Sequence, residues 1–201
     1  ANDDGGGLRF LMAGNFPYNV YNNIIVNNIS THEGGGVSLN DAPNVRFFNN
    51  TVMKNITTAT AMTSMGQPAP AGLSTSRNSN LLQATLPGTS PIFSDPLLFN
   101  NIFWDNRAGT FVGSTVAGIG LPGDPNPVTY WDLGVSEGIG VLSPTNSFGQ
   151  TALSLVPGTD PQVIATYEST VRALPWRGNP RFVDILMITT DATPNLLGNY
   201  H

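Results

Sequence analysis

The sequence has no cysteine, few charges and no long apolar run. Without cysteine, a disulfide framework, a thiolate nucleophile and a zinc–thiolate site are all excluded. Charged residues make up only 10% of the 201 residues, far below the usual quarter. The net charge of −5 and the lack of a basic cluster argue against nucleic acid and anionic membrane surfaces as partners. No stretch approaches the roughly 20 apolar residues that a membrane span needs.

Asparagine, threonine, serine and glycine take the place of the missing charges. The apolar content of 40% is ample for a core, and a chain of this length is expected to form one compact domain. A polar surface with few charges is typical of an extracellular β-protein. The composition therefore predicts a secreted protein, located outside the cell or on its surface.

An eight-residue pattern occurs three times, at 21–28, 48–55 and 99–106, with spacings of 27 and 51 residues. Its first position is aromatic, its fifth is apolar, and its third and eighth are asparagine. Repeats of this length are supersecondary units that bury their apolar faces by stacking on each other. Stacked amides hydrogen bond along the stack, so two asparagine ladders are predicted. One is Asn23, Asn50 and Asn101, and the other is Asn28, Asn55 and Asn106.

The alternation of side chains along a strand assigns the other positions to faces. The aromatic and apolar positions share one parity, so both are expected to point inward. The seventh position varies in charge and is expected to lie in water. These three columns are Tyr21/Phe48/Phe99, Ile25/Val52/Phe103 and Asn27/Lys54/Asp105. Glycine-rich turns precede a further strand in each coil, with Leu8, Val37 and Leu73 inward and Arg9, Ser38 and Ser74 outward.

Residues 1–109 resemble the right-handed parallel β-helix proteins of the pectate-lyase-like family. Asn-Asn-x-Ile, followed by Asn at the next bend, is the usual coil signature of that family. The resemblance implies an all-β fold, a right-handed parallel β-helix or solenoid, with coils about 4.8 Å apart. This scaffold carries lyases, hydrolases, adhesins and inert spacers alike. The stretch Asn-Pro-Arg-Phe-Val-Asp at 179–184, followed by Pro-Asn-Leu-Leu-Gly-Asn-Tyr-His at 194–201, resembles the closing segment of secreted bacterial β-helix proteins.

The predicted organisation is a set of β-helix coils over 1–109 and an irregular, Gly/Pro-rich extension over 110–201 that packs on them. Loop insertions are expected at about 59–70 and 83–96, and loops on rigid scaffolds often carry function. In the extension, apolar spacing predicts one short helix between Asp160 and Pro175. A buried strand is expected at 182–188.

Two pairs of residues are candidate sites. Asp4 and Glu33 occupy the same slot before the glycines of successive coils, so their carboxylates would lie about 5 Å apart and could share Ca²⁺. The alternative is a pair of solvated acids, and no other cofactor is expected. Trp104 and Asp105 could bind a sugar, unless the outward column of Val26, Met53 and Trp104 is covered by the extension. Arg9 or Arg46 is either a lyase base or a surface arginine.

No set of residues specifies a reaction. The leading hypothesis is a structural or binding segment of a large secreted bacterial β-helix protein that acts in extracellular or surface assembly. The alternative is a polysaccharide lyase or glycoside hydrolase with its site on the flank of the β-helix. Coil one is expected to contribute Leu8, Phe10, Tyr21 and Ile25 to the core. Since such an end exposes apolar side chains, it is expected to dock on the preceding part of the same protein or on a neighbouring subunit.

Overall fold

The computed structural model describes residues 1–124, 126–150, 156–157, 161, 166–171 and 185–190. Short β-strands recur in successive coils. Coil one (residues 5–30) contains β1 (Leu8–Leu11), β2 (Tyr18–Tyr21), β3 (Ile24–Val26) and β4 (Ile29–Ser30). Coil two (34–57) contains β5 (Val37–Asn40), β6 (Val45–Phe48), β7 (Thr51–Met53) and β8 (Ile56–Thr57). Coil three (70–108) contains β9 (Leu73–Thr75), β10 (Leu97–Phe99), β11 (Ile102–Trp104) and β12 (Arg107–Ala108).

The remaining elements follow coil three or lie in or beside the loop insertions. The hairpin strands β13 (Thr110–Val112) and β14 (Thr115–Ala117) precede coil four (131–149), which contains β15 (Leu133–Val135) and β16 (Phe148–Gly149). The last strands are β17 (Val156–Pro157), β18 (Thr166–Val171) and β19 (Ile185–Thr190). A 3₁₀ helix spans Met62–Ser64, and the α-helix α1 spans Asn80–Gln83.

Equivalent strands of successive coils pair in parallel and form stacked sheets. Their orders are β1-β5-β9-β15, β2-β6-β10, β3-β7-β11-β16-β17 and β4-β8-β12. The pairing continues beyond residue 109 because β15 joins β9 and β16 joins β11. The chain is therefore all-β with mainly parallel strands, an arrangement compatible with a β-helix-like solenoid.

The core lies inside these sheets and is built from registered columns. Ile25, Val52 and Phe103 pair in register and are at most 6% exposed, as expected. Leu8, Val37 and Leu73 also pair in register, as expected, and Leu133 continues their column. A third column, Val20, Phe47 and Leu98, is buried in the middle sheet.

The expectation that the aromatic column points inward is wrong. Tyr21 is 53% exposed and Phe99 is 42% exposed, although both pair in register with Phe48. The next residue in each coil, Asn22, Asn49 or Asn100, has a φ of 56°, 56° or 53°. This left-handed residue interrupts the alternation of a strand, so the first position faces out while the third and fifth face in. The Tyr21 and Phe48 rings stack outside the core, with centroids 5.1 Å apart.

The expectation that the seventh position lies in water is also wrong. Lys54 is only 4% exposed, and Asn27 and Asp105 are half-buried. All three have φ between 53° and 57°. The common feature of this column is therefore a left-handed backbone conformation and not exposure to water. Burial raises the pKa of Asp105, and Coulombic attraction from Lys54 is one of the effects that oppose this rise, so the stacked charges of this column interact.

Ser38 and Ser74, predicted to face outward, are fully buried. They occupy the same outward column as Arg9. The carboxylate of Glu33 lies against Ser74, since Ser74 Oγ donates a hydrogen bond to Glu33 Oε2 at 3.2 Å. The outer face of this sheet is thus covered by polar groups at the second and third coils.

The helix predicted between Asp160 and Pro175 is wrong where the structure describes it. Residues 166–171 form β18, which pairs antiparallel with β19. The sequence Thr166-Tyr167-Glu168-Ser169-Thr170-Val171 is rich in β-branched and aromatic residues, which favour strands. The predicted strand at 182–188 is confirmed from Ile185 onward, and its first residues lie outside the described ranges. The short helix is instead α1, which comes just before the second insertion, and there Ser79 Oγ accepts a hydrogen bond from the Leu82 N–H.

In the described part of the chain, no helix has the length and apolar character that crossing a membrane requires.

Candidate functional site

The two asparagine columns form continuous hydrogen-bonded ladders. In the first, Asn23 Nδ2 donates to Asn50 Oδ1 at 3.0 Å and Asn50 Nδ2 to Asn101 Oδ1 at 3.3 Å. In the second, Asn28 Nδ2 donates to Asn55 Oδ1 at 3.0 Å and Asn55 Nδ2 to Asn106 Oδ1 at 2.9 Å. In coil four the next partners are Ser147 and Asp132. These asparagines hold adjacent coils in register.

Among the described residues, no further coil stacks on the outer side of coil one, and this surface is here called the coil-one edge. Each of its strands, β1 to β4, is an edge strand of its sheet. Asn23 and Asn28 donate toward coil two, but no described residue donates to their own Oδ1 atoms. Tyr21, Ile24 and Leu11 are 50–54% exposed beside them. At β4 the Ile29 carbonyl accepts a hydrogen bond from the Ala1 nitrogen. The rest of the edge combines strands without an outer neighbour, open amide acceptors and apolar side chains.

The acidic cluster (Asp3, Asp4, Arg9, His32 and Glu33) lies where the chain enters β1 and β5. Backbone hydrogen bonds from Gly5 N–H to Glu33 O (3.1 Å) and from His32 N–H to Asp3 O (3.0 Å) stack the two entry segments. This stacking puts Asp4 and Glu33 in neighbouring slots of successive coils. Their side chains nevertheless have different partners.

Asp4 is the centre of the exposed half of the cluster. Arg9 Nη2 lies 3.0 Å from Asp4 Oδ2, and His32 Nδ1 lies 2.8 Å from Asp4 Oδ1. Asp3 is a second, more distant partner of Arg9 at 3.6 Å. The hydrogen bond to Asp4 is the largest influence on His32 and raises its pKa, although burial opposes this effect. A positively charged His32 and Arg9 together would neutralise both aspartates.

Glu33 forms the buried half of the cluster and is only 2% exposed. Burial raises the pKa of its carboxyl to about 7, although hydrogen bonds with Ser136 and Ser74 oppose the shift. The Oγ of Ser38, in the column between Arg9 and Ser74, is buried and has no hydrogen-bond partner. Glu33 can therefore hold a proton near neutral pH, but its position keeps it away from a large substrate.

The cluster has part of the geometry of a cation site. One ligand atom each from Asp3, Asp4 and His32 lies within 4.8 Å of the others. Glu33 does not belong to this group, and Arg9 already contacts the Asp4 carboxylate. Ca²⁺ takes six to eight oxygen ligands, more than these side chains supply. Calcium binding by Asp4 and Glu33 stays a prediction.

Trp104 and Asp105 lie on the flank of coil three. Arg107 binds the Asp105 carboxylate through Nε at 2.7 Å and Nη2 at 3.2 Å, and its Nη1 donates to Ile119 O. Burial raises the pKa of Asp105, and the Arg107 hydrogen bond opposes this rise. The Trp104 ring packs against Phe148, with centroids 5.7 Å apart. Sugar binding here also stays a prediction, and the contacts shown are those of a structural anchor.

Sequence reasoning placed Asp4 and Glu33 in equivalent slots but missed the role of Arg9 and His32 as partners of Asp4. Those contacts depend on the paths of two glycine-rich turns, which the sequence pattern does not specify. The participation of Ser136 was missed as well, because coil four carries no recognisable copy of the repeat.

Comparison of the chain with protein-family models, curated proteins and solved structures finds no match. The class of the protein is therefore defined by its fold, an all-β chain of parallel strands in stacked sheets.

Proposed function

We propose that the chain is a structural or binding segment of a large secreted bacterial protein with a right-handed parallel β-helix. It acts in extracellular or surface assembly, and the coil-one edge is its docking surface. The observation that carries this proposal is that every strand of coil one is an edge strand. Unpaired strand edges can recruit further strands. The composition and the resemblance of residues 179–201 to secreted β-helix proteins support the extracellular location.

The partner that fits this edge is another β-helical coil. In coils two and three, each ladder asparagine accepts two hydrogen bonds at Oδ1 from the ladder asparagine of the preceding coil, as Asn55 does from Asn28. The open Oδ1 atoms of Asn23 and Asn28 would accept the same bonds. A coil with asparagines five residues apart has this geometry, and an aromatic residue two positions before the first would stack on Tyr21.

Burial of the exposed apolar side chains of this edge favours the same kind of partner. Tyr21 and Ile24 are each more than half exposed on this edge, and fully burying a large apolar side chain is worth about 1.5–3 kcal/mol. A partner coil would cover both side chains and pair the backbone of β1 to β4. The coil belongs either to the preceding part of the same protein or to a neighbouring subunit.

Light scattering on the protein purified from its source tests the proposal. The expected result is a mass above the 21.3 kDa of the chain, or a companion polypeptide in the same peak. Ile24→Lys, which puts a charge on the edge, is expected to weaken the association. Met65→Lys is the control, because Met65 is 86% exposed in the first insertion. A well-behaved monomer without a companion would refute the proposal, as would equal effects of the two substitutions.

A polysaccharide lyase or glycoside hydrolase is the second candidate. Its support is the acidic cluster, where Asp3, Asp4 and His32 converge beside a glutamate with a pKa of about 7. Such acids on the flank of a β-helix would be placed for cation-assisted cleavage. The ion pairing of Arg9 and the burial of Glu33 make this the weaker candidate.

Incubation with acidic polysaccharides, with and without Ca²⁺, distinguishes the two functions. The structural proposal expects no cleavage. A lyase would release unsaturated product that absorbs in the ultraviolet, and a hydrolase would release new reducing ends without it. Either product would establish the enzyme if it depends on Ca²⁺ and disappears in Glu33→Gln.

A further inference from the structure

A cavity of about 570 Å³ lies at the corner that follows the first strand of each coil. This volume falls within the range of roughly 300–1,000 Å³ that is usual for small-molecule sites. Met12, Phe16, Leu81 and Leu82 give it apolar walls, and Asp41 adds a single acidic group. Met12 and Leu81 are 78% and 83% exposed, so large apolar side chains face open solvent around it.

Hydrogen bonds from both walls to coil two fix the shape of the cavity. On one side, the N–H groups of Met12 and Gly14 donate to Asn40 O at 3.1 Å and Asp41 O at 2.7 Å. On the other side, the Ser79 N–H donates to Asp41 Oδ1 at 2.6 Å. Each wall is thus attached to the backbone or side chain of the same short segment. The cavity is already formed without a ligand.

A hydrogen-bond network behind the second wall, which carries Leu81 and Leu82, also stabilises it. Asn78 Nδ2 donates to Gln83 Oε1 at 2.9 Å, and Asn78 Oδ1 accepts from Ser94 Oγ at 3.1 Å. Ser94 Oγ in turn accepts from the Ala42 N–H at 2.9 Å. Asn78 and Ser94 are buried, so this network ties the segment that carries α1 to the turn of coil two.

Asp41 is the one charged residue among the described residues that line the cavity. It is only 7% exposed, and one of its oxygens accepts the Ser79 N–H. No lysine, arginine or histidine of residues 1–124 and 126–150 forms an ion pair with it. A buried carboxylate without a cation is costly. A ligand that supplies a positive charge would therefore be favoured over a neutral or anionic one.

We propose that this cavity binds a small amphipathic cation, an aryl or alkyl ammonium compound. Its apolar body packs between Met12, Phe16 and Leu82, and its ammonium group lies against Asp41. The Phe16 ring adds a cation–π or apolar contact. This site is separate from the coil-one edge and from the acidic cluster, and it does not depend on the proposed function.

Titration with phenylbutylammonium, followed by NMR of the methionine and leucine methyl groups, tests the site. Phenylbutanol and phenylbutyrate serve as the neutral and anionic comparators. The cation is expected to bind at least about tenfold more tightly than the alcohol, since a charge-assisted hydrogen bond is worth more than a neutral one. The resonances that shift are expected to be those of Met12, Leu81 and Leu82.

Three variants test which residues of the cavity are responsible for binding and for the preference for the cation. Asp41→Asn is expected to abolish the preference for the cation. Asparagine tolerates the φ of 50° at this position and can still accept the Ser79 N–H. Phe16 is 67% exposed, so Phe16→Ala is expected to leave folding unaffected. It is expected to weaken the binding of all three compounds. Met65→Ala, outside the cavity, is expected to change nothing.

Several results would overturn the proposal. One is the absence of saturable binding by the cation to the wild-type protein. Another is equal binding of the cation and the alcohol. A cation preference that persists in Asp41→Asn would overturn it too, and if that variant fails to fold, unchanged binding in Phe16→Ala would do so.

Discussion

Asn55 is the residue at which the ladder can be tested most directly. It is completely buried. Its Nδ2 donates to Ile25 O and to Asn106 Oδ1, both at 2.9 Å, and its Oδ1 accepts from the N–H and Nδ2 of Asn28 at 3.1 and 3.0 Å. Asn55→Ala removes all of these bonds together, and their partners at Ile25 and Asn106 are buried while Asn28 is half-buried.

The expected cost follows from those partners. Asn106 Oδ1 still accepts a hydrogen bond from the backbone N–H of residue 55, at 3.2 Å in the wild type. It therefore loses only one of the two hydrogen bonds that Asn55 donates to it. The Ile25 carbonyl and the Asn28 N–H lose the bonds that Asn55 provides. The Ile25 carbonyl also lies in the parallel ladder with β7, and Asn28 is half-buried. A buried polar group left without a partner costs about 1–3 kcal/mol, so we expect the free energy of unfolding to fall by about 1–3 kcal/mol.

Denaturant titration followed by circular dichroism measures this change, with the midpoint and slope fitted for each variant. Asn27→Gly is the matched control. Asn27 is half-buried, its side-chain oxygen has no hydrogen-bond partner, and glycine accepts its φ of 57°. We expect this substitution to change stability by less than about 0.5 kcal/mol. A similar loss in both variants would show that the buried amide bonds do not hold the coils together.

The remaining predictions concern the core and the acidic cluster. Phe47→Ala is expected to cost about 3–5 kcal/mol in a denaturant titration, because Phe47 is fully buried. Phe48→Ala is expected to cost much less, since its ring stacks outside the core, and equal losses would contradict the assignment of faces. Burial raises the pKa of Glu33 from 4.5 to about 7, so between these values the folded state keeps a proton that the unfolded state releases. Stability should therefore fall as pH rises from 4.5 to 7, and Glu33→Gln should reduce this fall when unfolding midpoints are compared at both pH values. An unchanged pH dependence in Glu33→Gln would contradict the assignment.

The repeat in the sequence was sufficient to predict which residues pair between coils. Ile25, Val52 and Phe103 are in register and buried because identical spacing within each copy brings like residues together. The direction of Tyr21, Phe48 and Phe99 was predicted incorrectly because alternation was assumed to hold through the pattern. The signal for the reversal was present, since asparagine follows the aromatic residue in every copy and is the residue that most readily adopts the left-handed region after glycine.

Lys54 shows where the sequence gives no such signal. A lysine between Asn27 and Asp105 in the aligned copies indicates a solvated position, yet it is buried with φ of 55°. Apolar spacing likewise predicted a helix over the residues that form β18, because periodicity alone does not distinguish a short helix from a strand that pairs with a distant segment. The contacts of the acidic cluster depend on the geometry of two turns, which the repeat pattern does not specify either.

The glycines before the first strand of each coil offer a last test, because the structure gives them a role that turn conformation does not explain. A Cβ on Gly36 would lie 2.6 Å from Gly72 O and 2.9 Å from Asn55 Nδ2. The same glycine–ladder approach occurs at Gly7 with Asn28 and at Gly72 with Asn106. The missing side chain therefore lets the first strand pack directly against the ladder.

Gly36→Ala is expected to lower the free energy of unfolding by about 2–3 kcal/mol or more, since the atoms it meets are backbone and a fully bonded amide. Gly88→Ala is the control, because a Cβ there would meet nothing within 4 Å. The control should be neutral or slightly stabilising, because alanine restricts the unfolded chain more than glycine does. Thermal unfolding of the two variants measures the difference. If Gly36→Ala unfolds at the same temperature as the wild type, the close packing of glycine on the ladder does not limit the spacing of the coils.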